Sequence, residues 1–376
     1  MSGLIALVSF LFVIALLIAV HEWGHYRMAT LVGVRVIRFS LGFGKPLFKW
    51  TPKRQPLLDG YPQTTEFVIA ALPFGGYVKM QDERESDQTA IAANDAHQSF
   101  NRKPLWARSA VVFAGPLANL VLAVFLFSAL NWVGQTLPVA RMVEVMTDGA
   151  AASAKLQAGD LVLAVDEQKI SNSIQLRELI RASNLEVTQT WLIEREGEQR
   201  NVQVTPRVIT EASEFLGKER IGRVGAVIGS PNELVNVNYG PWQGLALGVQ
   251  KTWNLSVLTI KTLWRMILGE ASLKNLTGPV TVAEYSGKTA AMGLATFTLF
   301  LGLMSVSLGV LNLLPLPMLD GGHLMYYLWE LLTGREVSVL WLDKLQRAGF
   351  ILLILLTVLA LYNDLVRVFG LRSFFG

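Results

Sequence analysis

The chain has 376 residues, of which 52% are hydrophobic and 16% charged, and its mean hydropathy is +0.40. That is too apolar for an ordinary water-soluble domain, so membrane spans are expected, with room for one or two small soluble domains. A net charge of +4, with no basic cluster interleaved with aromatics, argues against a nucleic-acid surface and reads as loop charge beside anionic lipid. The absence of cysteine excludes disulfides and a thiol nucleophile, and leaves His, Asp and Glu to hold any metal.

Leu4 to Val20 is an uncharged, mostly apolar run without a basic segment before it or a small-residue cleavage site after it. It reads as a retained first span covering residues 4–26 rather than a removed signal. In the loop that follows, "VRVIRFSLGFGKPLFKW" (34–50) and "EFVIAALPFGGYVKM" (66–80) are strand-like and break at glycines and Pro73, which predicts short β-hairpins near the membrane. Residues 81–98, rich in Asp, Glu, Gln, Ala and Ser, read as a mobile tether. A second span is predicted over 107–132, with Gly115, Pro116 and Asn119 inside it.

Residues 141–206 predict a compact α/β domain: strands in "RMVEV" and "DLVLAVD", a helix in "SIQLRELIRAS", and a hairpin turning at Gly197. The run "AASAKLQAGDLVLAVD" resembles a PDZ domain through Leu156, Gly159, Asp160, Leu161, Val162 and Asp166, although Glu167 stands where glycine is usual. Residues 207–240 are too few for a second such domain and are expected to link it onward. Residues 242–268 are apolar but carry Lys251, Lys261 and Arg265, as an amphipathic helix lying on the outer membrane surface would. Spans three and four are predicted from Met292 to Leu311 and over 348–368.

The expected organisation is therefore an N-terminal membrane core (1–140), a PDZ-like domain (141–206), a linker with a surface helix (207–291) and a C-terminal membrane core (292–376). The fold class is a polytopic α-helical membrane protein of about four transmembrane helices with one extracytoplasmic PDZ-like α/β domain and short membrane-associated β-hairpins. Lys and Arg cluster after span one, before span two and between spans three and four, so those loops are expected in the cytoplasm, with both termini on the periplasmic side of a bacterial inner membrane.

The chemistry concentrates in two places. His21 and His25 are one helical turn apart and share a face, as two ligands of one tetrahedral zinc would. Glu22 beside them is placed to take a proton from water, the logic of H-E-x-x-H. Ionisable groups at membrane depth cost about 2.5–3.5 kcal/mol each at the centre and mark function. A catalytic zinc needs a third protein ligand. The candidate stretch is "NLLPLPMLDGGH" (312–323), where Pro315 and Pro317 interrupt the helix and Asp320 follows an uncharged run, with His323 the rival ligand and His97 a more remote one. At 1.5 Å per residue, Leu4 to His21 covers about 26 Å and Met292 to Asn312 about 30 Å, so both motifs reach the same depth, in the cytoplasmic third of the bilayer.

Together, "HEWGH" and "NLLPLPMLDGGH" resemble the paired signature of the site-2 proteases, intramembrane zinc metallopeptidases. "GVRVIRFSLGFGKPLF", "PFGGYVKM", "FAGPLANL", "LTGPV" and "YND" extend the resemblance over most of the chain. It implies one zinc held by His21, His25 and Asp320, with Glu22 as acid/base. Asn312, Pro315 and Pro317 would touch the substrate backbone, and Gly75, Gly76, Tyr77, Val78 and Lys79 would form an edge strand that pairs with unwound substrate. Substrates would be single-pass membrane proteins already cut on the outer side, such as an anti-sigma factor or signal-peptide remnants. A metal transporter and a non-proteolytic membrane scaffold are the competing classes.

Overall fold

The computed structural model describes residues 2–52, 57–58, 61–62, 64–82, 97–183, 186–213, 217–273 and 276–369. Most of the expected tether, residues 83–96, lies outside these. The elements begin with α1 (Ser2–Leu31), β1 (Val36–Trp50), β2 (Leu57–Leu58), β3 (Tyr61–Pro62), β4 (Glu66–Met80) and α2 (Leu105–Val133). Next come β5 (Gln135–Pro138), β6 (Met142–Val145), α3 (Ala150–Ser153), β7 (Leu161–Val165), β8 (Gln168–Lys169), α4 (Ser173–Ala182), β9 (Gln189–Arg195) and β10 (Glu198–Val204). The chain continues with β11 (Arg207–Ser213), β12 (Gly217–Arg223), β13 (Ala226–Ile228), β14 (Leu234–Val237), α5 (Pro241–Ile267), α6 (Pro279–Ala291), α7 (Leu294–Asn312), α8 (Asp320–Thr333) and α9 (Val339–Phe369).

Among the described residues, α1, α2, α7 and α9 are the helices long and apolar enough to cross a membrane. They fall on the four expected spans. α9 starts earlier than expected because Val339–Arg347, although charged, continues the helix, with Asp343 and Arg347 paired at 2.8 Å one turn apart. α5 does not reach span hydropathy; its Trp242, Trp253 and Trp264 recur about every three turns and are 83%, 69% and 61% exposed.

The chain divides into two compact units, the first made of residues 1–127, 248–260 and 276–376. Its core joins Val13 and Leu17 of α1 to Phe300 and Leu301 of α7. β1 and β4 do not form the two separate hairpins expected. Both bend, at Phe43 and Leu72, into one sheet of four segments in the order 46–50, 66–70, 38–41, 76–80. Phe39, for example, pairs with Phe67 on one side and Val78 on the other. Gly75 adopts φ +110°, which only glycine tolerates cheaply, and so lets the chain turn into the last segment. α9 is tied to α6 by Asp364, fully buried, whose carboxylate accepts from the backbone N–H of Gly278 (3.1 Å), Val280 (2.9 Å) and Thr281 (3.0 Å) and from the Thr281 hydroxyl (2.5 Å). These are orphan donors at a helix start, so the buried charge is fully solvated by protein.

The second unit comprises residues 128–247 and 261–275. It has a four-stranded sheet in the order β10-β9-β7-β8, with α4 capped by Asn172, whose side chain accepts from Gln175 N–H at 2.9 Å. Trp191, Ile193, Leu176, Val162 and Val165 form its core. The β7–β8 turn places Asp166 at φ +44° and Glu167 at φ +67°, a left-handed pair made without the usual glycine. Residues 207–240, expected as a linker, contain four strands among the described residues: β11 pairs with β12, β13 pairs back on β6 and β14 on β5. The last two pairings join segments far apart in sequence, so no local pattern announces them.

Candidate active site

The α-helical rise carries His21 and His25 onto one face of α1, and their Nε2 atoms stand 3.2 Å apart. α8 begins at Asp320, whose Oδ2 lies 3.1 Å from His21 Nε2 and 3.5 Å from His25 Nε2. All three side chains are largely covered, at 12%, 11% and 18% exposure. His25 Nδ1 sits 2.8 Å from the Val111 carbonyl, so Nδ1 donates and Nε2 presents its lone pair to the triangle. Asp320 Oδ2 is buried and takes no hydrogen bond among the described residues. Two imidazole nitrogens and a carboxylate oxygen converging on one point are a donor set that a cation satisfies.

The residues fit zinc. Ligand atoms about 2.0–2.1 Å from a tetrahedral ion stand about 3.3–3.4 Å apart, and the observed edges bracket that spacing. An octahedral ion at the same bond length would need about 2.8–3.0 Å. Two imidazoles with one carboxylate also suit zinc better than the oxygen-loving cations. Among the described residues, His21, His25 and Asp320 form the one such group with metal-ligating geometry.

Glu22 is buried beside the triangle but is not part of it. It lines a cavity of about 780 Å³ together with His21, His25, Asp320, Asn312 and the segment Gly76–Met80. At Gly76 an added Cβ would stand 2.8 Å from the Ser40 carbonyl and 2.9 Å from Glu22 Cγ, so glycine lets this sheet segment run against the glutamate. Tyr77, Val78 and Lys79 follow along the same wall.

Other expected residues are placed differently. Gly75 turns toward the Phe43 ring rather than lining the cavity. Pro315 and Pro317 line a separate, apolar cavity of about 960 Å³ with Trp329 and Trp341. It is Met318 and Leu319 that reach the first cavity, with Met318 held at φ +101°, a strained backbone for a residue with a side chain. Gly321 and Gly322 pack against the carbonyls of Leu314 and Leu316, which leaves no room for a Cβ. His323 shares the cavity but stands outside the ligand triangle, its ring edge-on to Tyr326, and His97 is exposed.

Sequence reasoning missed the contribution of α2. Val111 supplies the carbonyl to His25, Gly115 leaves space for the His25 ring, and Asn119 reaches His21. The signal was present as the spacing 111, 115, 119, one helical stripe, but it reads as packing until its neighbour is known.

Apolar helices that bring an H-E-x-x-H pair and a distant carboxylate around one zinc-sized triangle define a metallopeptidase working at membrane depth. The chain belongs to Peptidase family M50, whose match covers residues 9–356, and it is an intramembrane zinc metalloprotease. It is 32% identical to the Regulator of sigma-E protease RseP of Escherichia coli, over 98% of this chain and 100% of that one. Two proteins named "Putative zinc metalloprotease" are similar: R01501 of Rhizobium meliloti, 35% identical over 96% of each chain, and RSc1411 of Ralstonia nicotianae, 34% identical over 97% of this chain and 99% of that one. The alignment with R01501 runs over 374 positions, whereas those with RseP and RSc1411 need 466 and 465. The latter two alignments thus run over about 90 more positions than the first. A faint structural likeness to the PDZ domain of an SdrC-like protein from Listeria monocytogenes covers 24% of this chain and 87% of that one, at 16% identity and a TM-score of 0.20.

Proposed function

We propose that His21, His25 and Asp320 hold one zinc ion per chain, and that Glu22 is the acid/base that cleaves peptide bonds of single-pass membrane proteins already shortened on their outer side. The observation that carries this reading is the triangle of 3.1, 3.2 and 3.5 Å with Glu22 beside it. Zinc, when bound, polarises a carbonyl and makes water more acidic. Glu22 takes a proton from the attacking water and returns it to the leaving amide nitrogen. The His25 Nδ1–H to Val111 bond holds that imidazole in register throughout.

A helical substrate shields its peptide bonds and must unwind first. Segment 76–80 is the outermost of its sheet and faces the cavity, so an extended substrate there recovers through strand pairing the hydrogen bonds it lost. Asn312, on the same cavity wall, offers a side-chain amide to a substrate backbone. Pro315 and Pro317 act by keeping the preceding segment unwound rather than by contact.

The second unit is a single PDZ-like domain on the periplasmic side that excludes substrates with bulky outer domains or captures a newly made C-terminus. Apolar side chains on the β1–β4 sheet, among them Phe43, Leu47, Phe48 and Leu72, are exposed and suit lipid contact, as does the tryptophan stripe of α5. The chain sits in the bacterial inner membrane as a four-span protein with both termini periplasmic, and its substrates include an anti-sigma factor or signal-peptide remnants. A metal transporter would also place His and Asp in spans, but it gives no role to Glu22, which is poised by the triangle without joining it.

Glu22→Gln tests the reading. The variant is expected to keep its zinc and to lose cleavage of a model membrane peptide by about 10²–10⁴-fold. Zinc content and proteolysis are measured on one purified sample. Wild-type cleavage by this variant, or a loss of zinc with it, would remove Glu22 from the role of base.

A further inference from the structure

Asn119 is fully buried in the middle of an apolar span, where an amide is expensive unless it is used. Its Nδ2 stands 3.4 Å from His21 Nδ1, and its Oδ1 meets no hydrogen-bond partner among the described residues. Its backbone carbonyl accepts the hydroxyl of Ser305, itself fully buried, at 2.7 Å. The same helix, two turns earlier, offers the Val111 carbonyl to His25 Nδ1 at 2.8 Å.

We infer that Asn119 is the positioning residue of His21, its Oδ1 accepting the Nδ1–H of the imidazole so that Nε2 is aimed at the metal. The inference rests on the zinc site proposed above. A histidine that ligates through Nε2 carries its proton on Nδ1, and a buried N–H needs an acceptor. The Asn119 amide is the polar group at that nitrogen, and a half-turn about its Cβ–Cγ bond brings the unpartnered Oδ1 against Nδ1–H. α2 then orients both imidazoles, with a main-chain carbonyl for His25 and a side-chain carbonyl for His21. The helix supplies one acceptor from each type because the two rings meet it at different heights, and only the second can be altered by substitution.

Full-length protein is purified in detergent and stripped of metal. Zinc affinity is measured by competition with a chromophoric chelator, alongside the d–d spectrum of the cobalt-loaded form and the thermal midpoint. Asn119→Leu, which keeps the volume and removes the acceptor, is expected to bind zinc about 10–100-fold more weakly with an altered cobalt spectrum. Asn119→Asp accepts from Nδ1–H but offers no amide donor, and it is expected to stay within about threefold of wild type, well inside the loss that a missing orienting partner causes. Ser305→Ala loosens the same helix pair without touching the imidazole and should leave zinc affinity unchanged. Wild-type affinity in Asn119→Leu overturns the inference, as does an equal loss in Ser305→Ala or in Asn119→Asp. If Asn119→Leu fails to fold, Asn119→Asp decides by itself, since a donor role for the amide predicts its loss of zinc. A wild-type protein that binds no zinc would overturn the site as a whole, whereas zinc bound equally by wild type and Asn119→Leu overturns only the role of Asn119.

Discussion

His21 Nε2 and Asp320 Oδ2, from the first helix and from the start of the eighth, lie 3.1 Å apart. His323, one turn along the same α8, shares the cavity yet stays outside the triangle. The two candidates for third ligand therefore separate experimentally. Asp320→Asn is expected to weaken zinc binding by more than the roughly 10–100-fold typical of a lost orienting partner, because a ligand itself is replaced by a neutral amide. His323→Ala should bind zinc as wild type does. Metal content after dialysis against a graded chelator checks both, and a zinc loss confined to the His323 variant would reverse the assignment.

Strand addition at segment 76–80 predicts a pattern rather than a single loss. Val78 pairs with Phe39 across the sheet, and Tyr77 pairs with Ser40. Successive N–H groups in a strand point to opposite sides, so one of these two residues directs its donor away from β1. Proline at that position should lower kcat/KM by about 3- to 10-fold, the worth of one net hydrogen bond, and proline at the other should disturb the sheet itself. Val78→Thr keeps the donor and should be nearly silent. Equal losses from Val78→Thr and Val78→Pro, at equal stability, would count against pairing.

The β5–β14 pair supplies natural boundaries for excising the second unit. Pro138 and Leu234 face one another across an antiparallel ladder, so a short Gly/Ser turn joining them closes a hairpin after residues 139–233 are removed. Cutting at 206 instead would strand β13 without β6. The excised protein should still cleave a substrate already trimmed on its outer side and should begin to cleave an untrimmed one, both followed in reconstituted membranes. Loss of the trimmed reaction, with zinc retained, would make the unit a required receptor instead of a gate.

Asp160 gives the second unit a pH-dependent clasp. Its burial, at 1% side-chain exposure, pushes the carboxyl upward, but the Arg195 fork, at 2.7 Å to each oxygen, and the Gln157 N–H outweigh this and hold it below the usual range. A carboxyl lowered in the folded state contributes stability above its unfolded value of about 3.9 and loses it as pH falls through the folded value. The unit should therefore lose stability on acidification below about pH 4. Asp160→Asn should cost about 2–3 kcal/mol at neutral pH, below the 3–5 of a wholly buried pair because Arg195 stays 20% exposed, and should flatten the acid limb. Denaturant unfolding of the full chain, followed by the fluorine signal of 5-fluorotryptophan at the fully buried Trp191, reports on this unit. An acid limb unchanged in Asp160→Asn would assign the transition to other carboxylates.

Much of this protein is written locally. The four helices long and apolar enough to cross a membrane show as mostly apolar runs, and the H-E-x-x-H pair is legible because helical spacing alone puts His21 and His25 on one face. The strands of the second unit and the α4 helix show through their own periodicities, and even the odd Asp166–Glu167 turn is marked by its missing glycine. What the sequence left open were contacts between distant segments. The choice of Asp320 over His323 depends on where the unwound stretch after α7 releases α8, and that is set by Gly321 and Gly322 packing on carbonyls. The folding of β1 and β4 into one four-segment sheet, the return of β13 and β14 to β6 and β5, and the cap that Asp364 places on α6 each join residues with no local relation. Asn119 is the sharpest case. In sequence it is a polar residue in a greasy helix, and only the packing of α2 on α1 shows which imidazole it serves, because a hydrogen-bond partner is chosen by position in space and not by spacing along the chain.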